Sequence, residues 1–196
     1  MSDESPPPGR NALIAHRSSL STYKRELLRW TEKVNLIGPE ARANVDEHIE
    51  EALAAAAILK PAGNVLDFGS GGGLPAIPMA IVSPEARFHL VEADQKKWSF
   101  LKHIVRECAL NAVVHGDRLA RALTRFPPDL RFSLVISRAV GNPEEWVPSL
   151  VKWMEPNGKF GLFQGTPHAP ELAKGVEVFS LPRGESNNLV TFHVEQ

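Results

Sequence analysis

The feature that most constrains this chain is a run of glycines, Asp67-Phe68-Gly69-Ser70-Gly71-Gly72-Gly73-Leu74-Pro75. A short apolar run at 65–68 leads into it, and a helix is expected to leave it with Pro75 in the first turn. Glycines here let the backbone turn tightly and let a ligand approach the main chain. Without those flanking elements the same glycines would be a plain loop. Two nucleotide signatures are missing. The dinucleotide fingerprint wants its third glycine at the sixth position, and counting from Gly69 that place holds Leu74. A P-loop needs Gly-Lys-Ser/Thr, which the segment lacks. An aspartate at the entry, Asp67, suits a ligand carrying an ammonium group better than one carrying a pyrophosphate.

Around this turn the chain alternates between strand and helix patterns. Strands are expected at 65–68, 88–92, 112–115, 132–136, 159–163, 176–179 and 189–194. Helices are expected at about 95–110 and 146–154, and two more precede the first strand. In the first of those, Leu13, Leu20, Tyr23, Leu27, Trp30 and Val34 form one apolar face, and Gly38-Pro39 ends the region. The second spans 45–59, with Asn44 as its expected N-cap and Asp46 and Glu47 in its first turn. The predicted fold class is α/β, with a mostly parallel central sheet, an antiparallel edge strand and an N-terminal helical extension. Residues 1–9, with Pro6, Pro7 and Pro8, are expected to be a disordered tail. Residues 10–60 are expected to be the N-terminal helices and 61–196 a Rossmann-like domain, all in one compact unit.

Composition narrows the function classes. The 196 residues suffice for one domain with a core of its own. The single cysteine, Cys108, excludes an internal disulfide and a cysteine-based zinc cluster. The histidines show no metal-ligand spacing, so no metal is expected. There is no apolar run of about 18 residues, and the acidic, proline-rich start lacks the order of a signal peptide. A soluble cytoplasmic protein without membrane association is expected. The net charge of −1 shows no basic excess. Yet residues 10–33 hold six basic against two acidic side chains, and residues 96–131 hold eight against three. If the two stretches share a face, that face is positive.

Glu92, at the end of the second strand, is placed to accept hydrogen bonds from two ribose hydroxyls. Gly116-Asp117 ends the third strand. The spacing Asp-x-Gly-x-Gly-x-Gly resembles motif I of S-adenosylmethionine-dependent methyltransferases. Residues 66–81 (LDFGSGGGLPAIPMAI), 90–101 (LVEADQKKWSFL) and 136–140 (ISRAV) together resemble the GidB family, also called RsmG. Trp30, Asn35, Leu36 and His48 match its N-terminal pattern, so the resemblance spans roughly residues 20–194. It implies a class I methyltransferase acting on N7 of a guanosine in small-subunit (16S) ribosomal RNA. It also implies S-adenosylmethionine as cofactor, with ribosomal RNA or the small subunit as partner; a monomer is expected.

The resemblance further implies cofactor contacts at Gly69, Ser70, Gly71 and Leu74. It places Glu92 and Ala93 at the ribose, and Asp117, Arg118 and Leu119 beside the adenine. Arg138 belongs in the active-site cleft, as the catalytic candidate, through a contact to guanine O6 or to the cofactor. Asn35 and His48 are candidates for RNA contact. Four places depart from the family pattern. These are Asp117-Arg118-Leu119 for Arg-Ala-Glu, Gln164-Gly165 for Lys-Gly, Ser186-Asn187-Asn188 for a segment with a basic residue, and Ile49-Glu50-Glu51 for Asp-Ser-Leu after His48. Lost basic positions weaken RNA affinity. The alternatives are therefore a non-catalytic relative that keeps the cofactor, and a methyltransferase with a different substrate.

Overall fold

The structure is a computed structural model. It describes residues 10–138, 140–182 and 187–195, with side chains of the first helix from His16 onward. The tail at 1–9, the side chain of Leu13 and Ser186 lie outside the described residues. The first helix, α1 (Arg10–Thr31), is followed by short α2 (Pro39–Ala43) and by α3 (Val45–Leu59). Then come β1 (Asn64–Phe68), α4 (Ala76–Val82), β2 (Arg87–Val91), α5 (Gln95–Glu107), β3 (Ala112–His115) and α6 (Leu119–Leu123). β4 (Phe132–Arg138), α7 (Pro143–Leu150), β5 (Met154–Gln164), β6 (Ala173–Ser180) and β7 (Asn188–Val194) complete the order.

The strands form one sheet in the order β3-β2-β1-β4-β5-β7-β6. The first five strands run parallel. β7 runs antiparallel to both β5 and β6. The reversal expected at the end of the chain is present; the reversed strand sits second from the edge, and β6 closes the sheet beside it.

Alternation along each strand divides the core in two. Val65 of β1 and Phe88 and Leu90 of β2 pack with α1, α3, α4 and α5, where Tyr23, Leu27, Ala52, Ile77, Phe100 and Leu101 are fully buried. Leu66 and Val91, one residue on, face the opposite side with Leu123, Val147, Leu150, Phe160 and Phe192. The N-terminal helices thus bury apolar surface in the same cluster as the sheet.

Three local expectations are corrected. Pro39 opens α2 at its first position instead of closing the region. Asn44 makes no capping bond to α3; its amide donates to Glu40 Oε1 four residues back, at 3.1 Å. The helix expected at 146–154 begins at Pro143, because Asn142 caps it by accepting from Glu144 N, and it ends at Leu150 before a short 3-10 turn.

Candidate active site

The sheet order reverses between β1 and its neighbours β2 and β4, and a crevice opens beyond the carboxyl ends of these strands. The glycine turn occupies it. Gly69 N donates to Val91 O at 2.8 Å, and Gly73 N donates to Ser70 O at 2.6 Å. Gly69 has φ +69°, and a Cβ there would lie 2.7 Å from Val140 Cγ2. Gly73 has φ +85°, and its Cβ would lie 2.4 Å from Ile77 Cγ1. No other residue type fits either place. The Tyr23 hydroxyl, fully buried, donates to Gly72 O at 2.8 Å and ties the loop to α1.

Two carboxylates flank the turn. Glu92 accepts from Gly71 N through Oε2 and from Asp94 N through Oε1, both at 2.8 Å. Each oxygen keeps a second acceptor site for a ligand hydroxyl. Asp67, at the end of β1, is 2 % exposed, and its Oδ2 has no hydrogen-bond partner. Burial pushes its carboxyl up to about 7; Ser70 and Arg138 oppose this rise and Glu92 adds to it. An unpartnered buried carboxyl oxygen is complementary to a cation; Asp67 itself lies behind the residues that line the cavities of this site.

Two cavities meet here. One, of about 670 Å³, is lined by Gly69, Ser70, Gly71, Leu74 and Glu92, with Leu36, Ile37 and Lys97 closing its far side. The other, of about 550 Å³, is lined by Ser137, Asn142, Trp146, Phe163, Gln164 and Asn188, over the ends of β4 and β5. His48, Arg138, Val140 and Gly141 line both, so they form the partition between the two.

Arg138 is held on this partition by the N-terminal helices. Its Nη2 donates to Glu51 Oε2 at 2.9 Å, and its Nη1 lies 2.9 Å from His48 Nδ1. Its Cζ stands 4.9 Å from the centre of the Phe163 ring. His48 Nδ1 is also 3.1 Å from Glu51 Oε2. That nitrogen serves one neighbour at a time: unprotonated it accepts from Arg138, and protonated it donates to Glu51. Burial raises the fully buried Glu51 carboxyl, but the bonds from His48 and Arg138 outweigh it and hold the group below its ordinary range. Each outer guanidinium nitrogen thus makes one bond within the protein and carries a second N–H besides.

The structure brings Gly69, Ser70, Gly71, Leu74, Glu92, Arg138 and His48 together around the first cavity. Other candidates stand apart from its lining. Ala93 is exposed just beyond Glu92, and Asn35 is exposed on the loop after α1. Asp117, Arg118 and Leu119 lie one strand further out, at the end of β3 and the start of α6. The Asp117 carboxylate accepts from its neighbour Arg118 N at 2.9 Å and pairs with Arg125 at 3.0 Å. Sequence reasoning missed Tyr23 and Glu51 as site residues. A tyrosine on an apolar stripe and a glutamate opening the alanine-rich run Glu51-Ala-Leu-Ala-Ala-Ala-Ala57 were the available signals. Among the described residues no group of three or more His, Cys, Asp or Glu could hold a metal ion. No described helix is long and apolar enough to cross a membrane.

Comparison with known proteins agrees with this geometry. The family model GidB, rRNA small subunit methyltransferase G, matches residues 16–196. A protein of Helicobacter acinonychis named ribosomal RNA small subunit methyltransferase G is 31% identical over 82% of this chain and 89% of its own length. One of the same name from Magnetococcus marinus is 33% identical over 90% of this chain and 80% of its own. Among solved structures, the Bacillus cereus O-methyltransferase in complex with SAH superposes with TM-score 0.65 at 15% identity, covering 89% of this chain and 91% of that one. A mutant of MtNAS in complex with S-adenosylmethionine gives 0.61 at 12% identity, over 94% and 78%. At these identities the two structures speak for the fold alone.

Proposed function

The chain belongs to the GidB family, rRNA small subunit methyltransferase G, and from that premise we propose that it transfers a methyl group from S-adenosylmethionine to N7 of a guanosine in small-subunit ribosomal RNA. The observation that carries the reading is the pair of cavities sharing one partition, with a cofactor-type turn on one side and an aromatic, amide-lined space on the other. Asp67 would receive the ammonium group of the cofactor and Glu92 its ribose hydroxyls. Ala93, Asp117, Arg118 and Leu119 would border the adenine. When bound, the cofactor supplies the activated methyl group on a sulfonium.

Guanine N7 carries a lone pair and no proton, so the chain needs no general base. The residues of the second cavity have only to align the base and exclude water. Trp146, half-buried, offers a ring for stacking, and Asn142 and Gln164 offer amides for the base edge, while buried Phe163 backs the Arg138 guanidinium. Arg138, fixed by Glu51 and His48, acts on this reading as a rigid positive wall between the two ligands. Asn35, exposed on the rim, and His48 remain candidates for RNA contact. The enzyme would work as a monomer in the cytoplasm, where ribosomes are assembled. One observation favours a second reading: Gln164 and Asn187, neutral where the family is basic, both line the second cavity, which suits a different substrate there.

Calorimetric titration with S-adenosylmethionine and S-adenosylhomocysteine tests the cofactor site. Gly71 is the place to block it, because a Cβ there meets only ordinary contacts, the nearest at 3.7 Å, and aspartate is among the side chains least strained at its φ of +53°. Wild type is expected to bind both compounds, and Gly71→Asp neither. Methyl transfer to protein-free small-subunit RNA and to assembled subunits then separates the substrate readings; transfer to neither favours the second.

A further inference from the structure

The two basic stretches of the sequence meet in space. Helices α1 and α5 pack antiparallel: Cys108 Sγ reaches Ser19 O at 3.7 Å, Glu26 Oε2 lies 3.0 Å from His103 Nε2, and Trp30 stacks on His103 and meets Phe100 edge-on. Along one bank of this seam stand Arg25, Arg29 and Lys33, all exposed; along α5 stand Lys96, Lys102 and Arg106, also exposed. The buried carboxylate of Glu26 pairs with Arg25, Arg29 and His103 at once. It anchors the guanidinium groups while their side chains stay 63% and 62% exposed. Lys102 Nζ lies 4.6 Å from the centre of the Trp98 ring. The exposed acids on and beside the two helices, Glu32, Asp94 and Glu107, are outnumbered. Over the whole chain the charge is −1, so the cations on this face are offset by an excess of acids elsewhere. The seam also leads to the first cavity, since Ile37 in the loop after α1 and Lys97 in the first turn of α5 both line it.

We infer that the α1–α5 seam is the surface that holds the phosphate backbone of the RNA substrate outside the target nucleotide. This rests on the RNA-methyltransferase reading above. A row of half-anchored guanidinium and ammonium groups suits phosphate, which contacts position without reading bases. It lies across the cofactor cavity from the base cavity, so it acts on capture of the RNA and not on methyl transfer. It also supplies cations that the neutral rim at Gln164 and Asn187 lacks.

The test is the triple charge reversal Lys33→Glu, Lys102→Glu, Arg106→Glu, with Lys174→Glu on β6 as control. Cofactor affinity by calorimetry should equal wild type, which certifies the fold. The KM for RNA should rise about ten- to a hundredfold with kcat unchanged. The slope of log affinity against log salt should become shallower by about two to three, close to one per cation removed. The control should match wild type in all three. Unchanged KM and slope in the triple variant overturn the inference. So does a defect confined to assembled subunits with protein-free RNA unaffected, which would assign the face to a ribosomal protein. If wild type methylates no RNA, the functional reading has failed by itself. The seam is then judged by equilibrium binding of small-subunit RNA across a salt series, where equal slopes for wild type and variant overturn it. If the triple variant fails to fold, Lys33→Gln alone should still lower the slope by about one.

Discussion

On the proposed function, two buried carboxyl groups shape the site at the scale of single residues, and neither is fully legible in the sequence. The place of Asp67 before the glycines suits an ammonium ligand, but its unpartnered Oδ2 and its shift to about 7 are products of burial. Its ordinary value is 3.8. The folded protein therefore holds a proton there that the unfolded chain releases, and the unliganded fold loses stability as pH rises from about 4 through 7. Binding of a cation needs the ionised form. Cofactor affinity should thus fall as pH drops below about 7, by up to about tenfold per unit, as measured by calorimetry from pH 5 to 7.5. Asp67→Asn should flatten that profile, weaken binding at pH 7.5 and raise the unliganded melting temperature at pH 8.

Glu51 is illegible for a different reason. Its meaning lies in Arg138, 87 positions along the chain, and the segment holding it departs from the family pattern. Glu51→Gln leaves a guanidinium without its counter-charge on the wall between the cavities. It should cost about 3 kcal/mol in denaturant unfolding and lower kcat at temperatures where the variant is folded. An unchanged kcat would remove the partition from the account of activity.

At the scale of elements, the strands are legible because apolar runs end in glycine, proline or an acid. The third strand, 112–115, is found where the pattern puts it. The five-residue helices α2 and α6 carry too short a pattern to show a period, and the start of α7 depends on reading Asn142-Pro143 as a cap. Sheet pairing also makes contacts that no local pattern contains. His89 of β2 and His115 of β3 stack, with Nδ1 and Nε2 3.3 Å apart, beside Phe126 and Phe132. Burial lowers His89 to about 4 from 6.5, with His115 and Arg87 adding to the shift. The unfolded chain then binds the proton first, so this group destabilises the fold as pH falls from about 6.5 toward 4. Between pH 7 and 5 wild type should lose about 2 kcal/mol relative to His89→Gln, measured by urea unfolding at both values. A stability gap that stays constant with pH would contradict the assignment.

For the whole molecule, the α/β class and the parallel sheet follow from strand–helix alternation, and the site follows from the turn after β1. What sequence could not supply is the partnership between halves. Tyr23 of α1 holds the glycine loop, α3 holds Arg138, and Leu27 and Ala52 share a core cluster with Ile77 and Phe100. We therefore propose that the helices at 10–60 and the sheet domain at 61–196 are one folding unit. A fragment of 61–196 alone should fail to give a cooperative thermal transition; a sharp transition near the wild-type temperature would show the extension to be separable.

The most direct test is transfer of labelled methyl from S-adenosylmethionine to small-subunit RNA by wild type and Gly71→Asp, with mass spectrometry of the product nucleosides. Wild type should give 7-methylguanosine and the variant none, and the variant should remain folded because Gly71 lines the first cavity and not the core. No methyl on RNA from a wild type that binds the cofactor would contradict the substrate assignment. Full activity in Gly71→Asp would contradict the site itself.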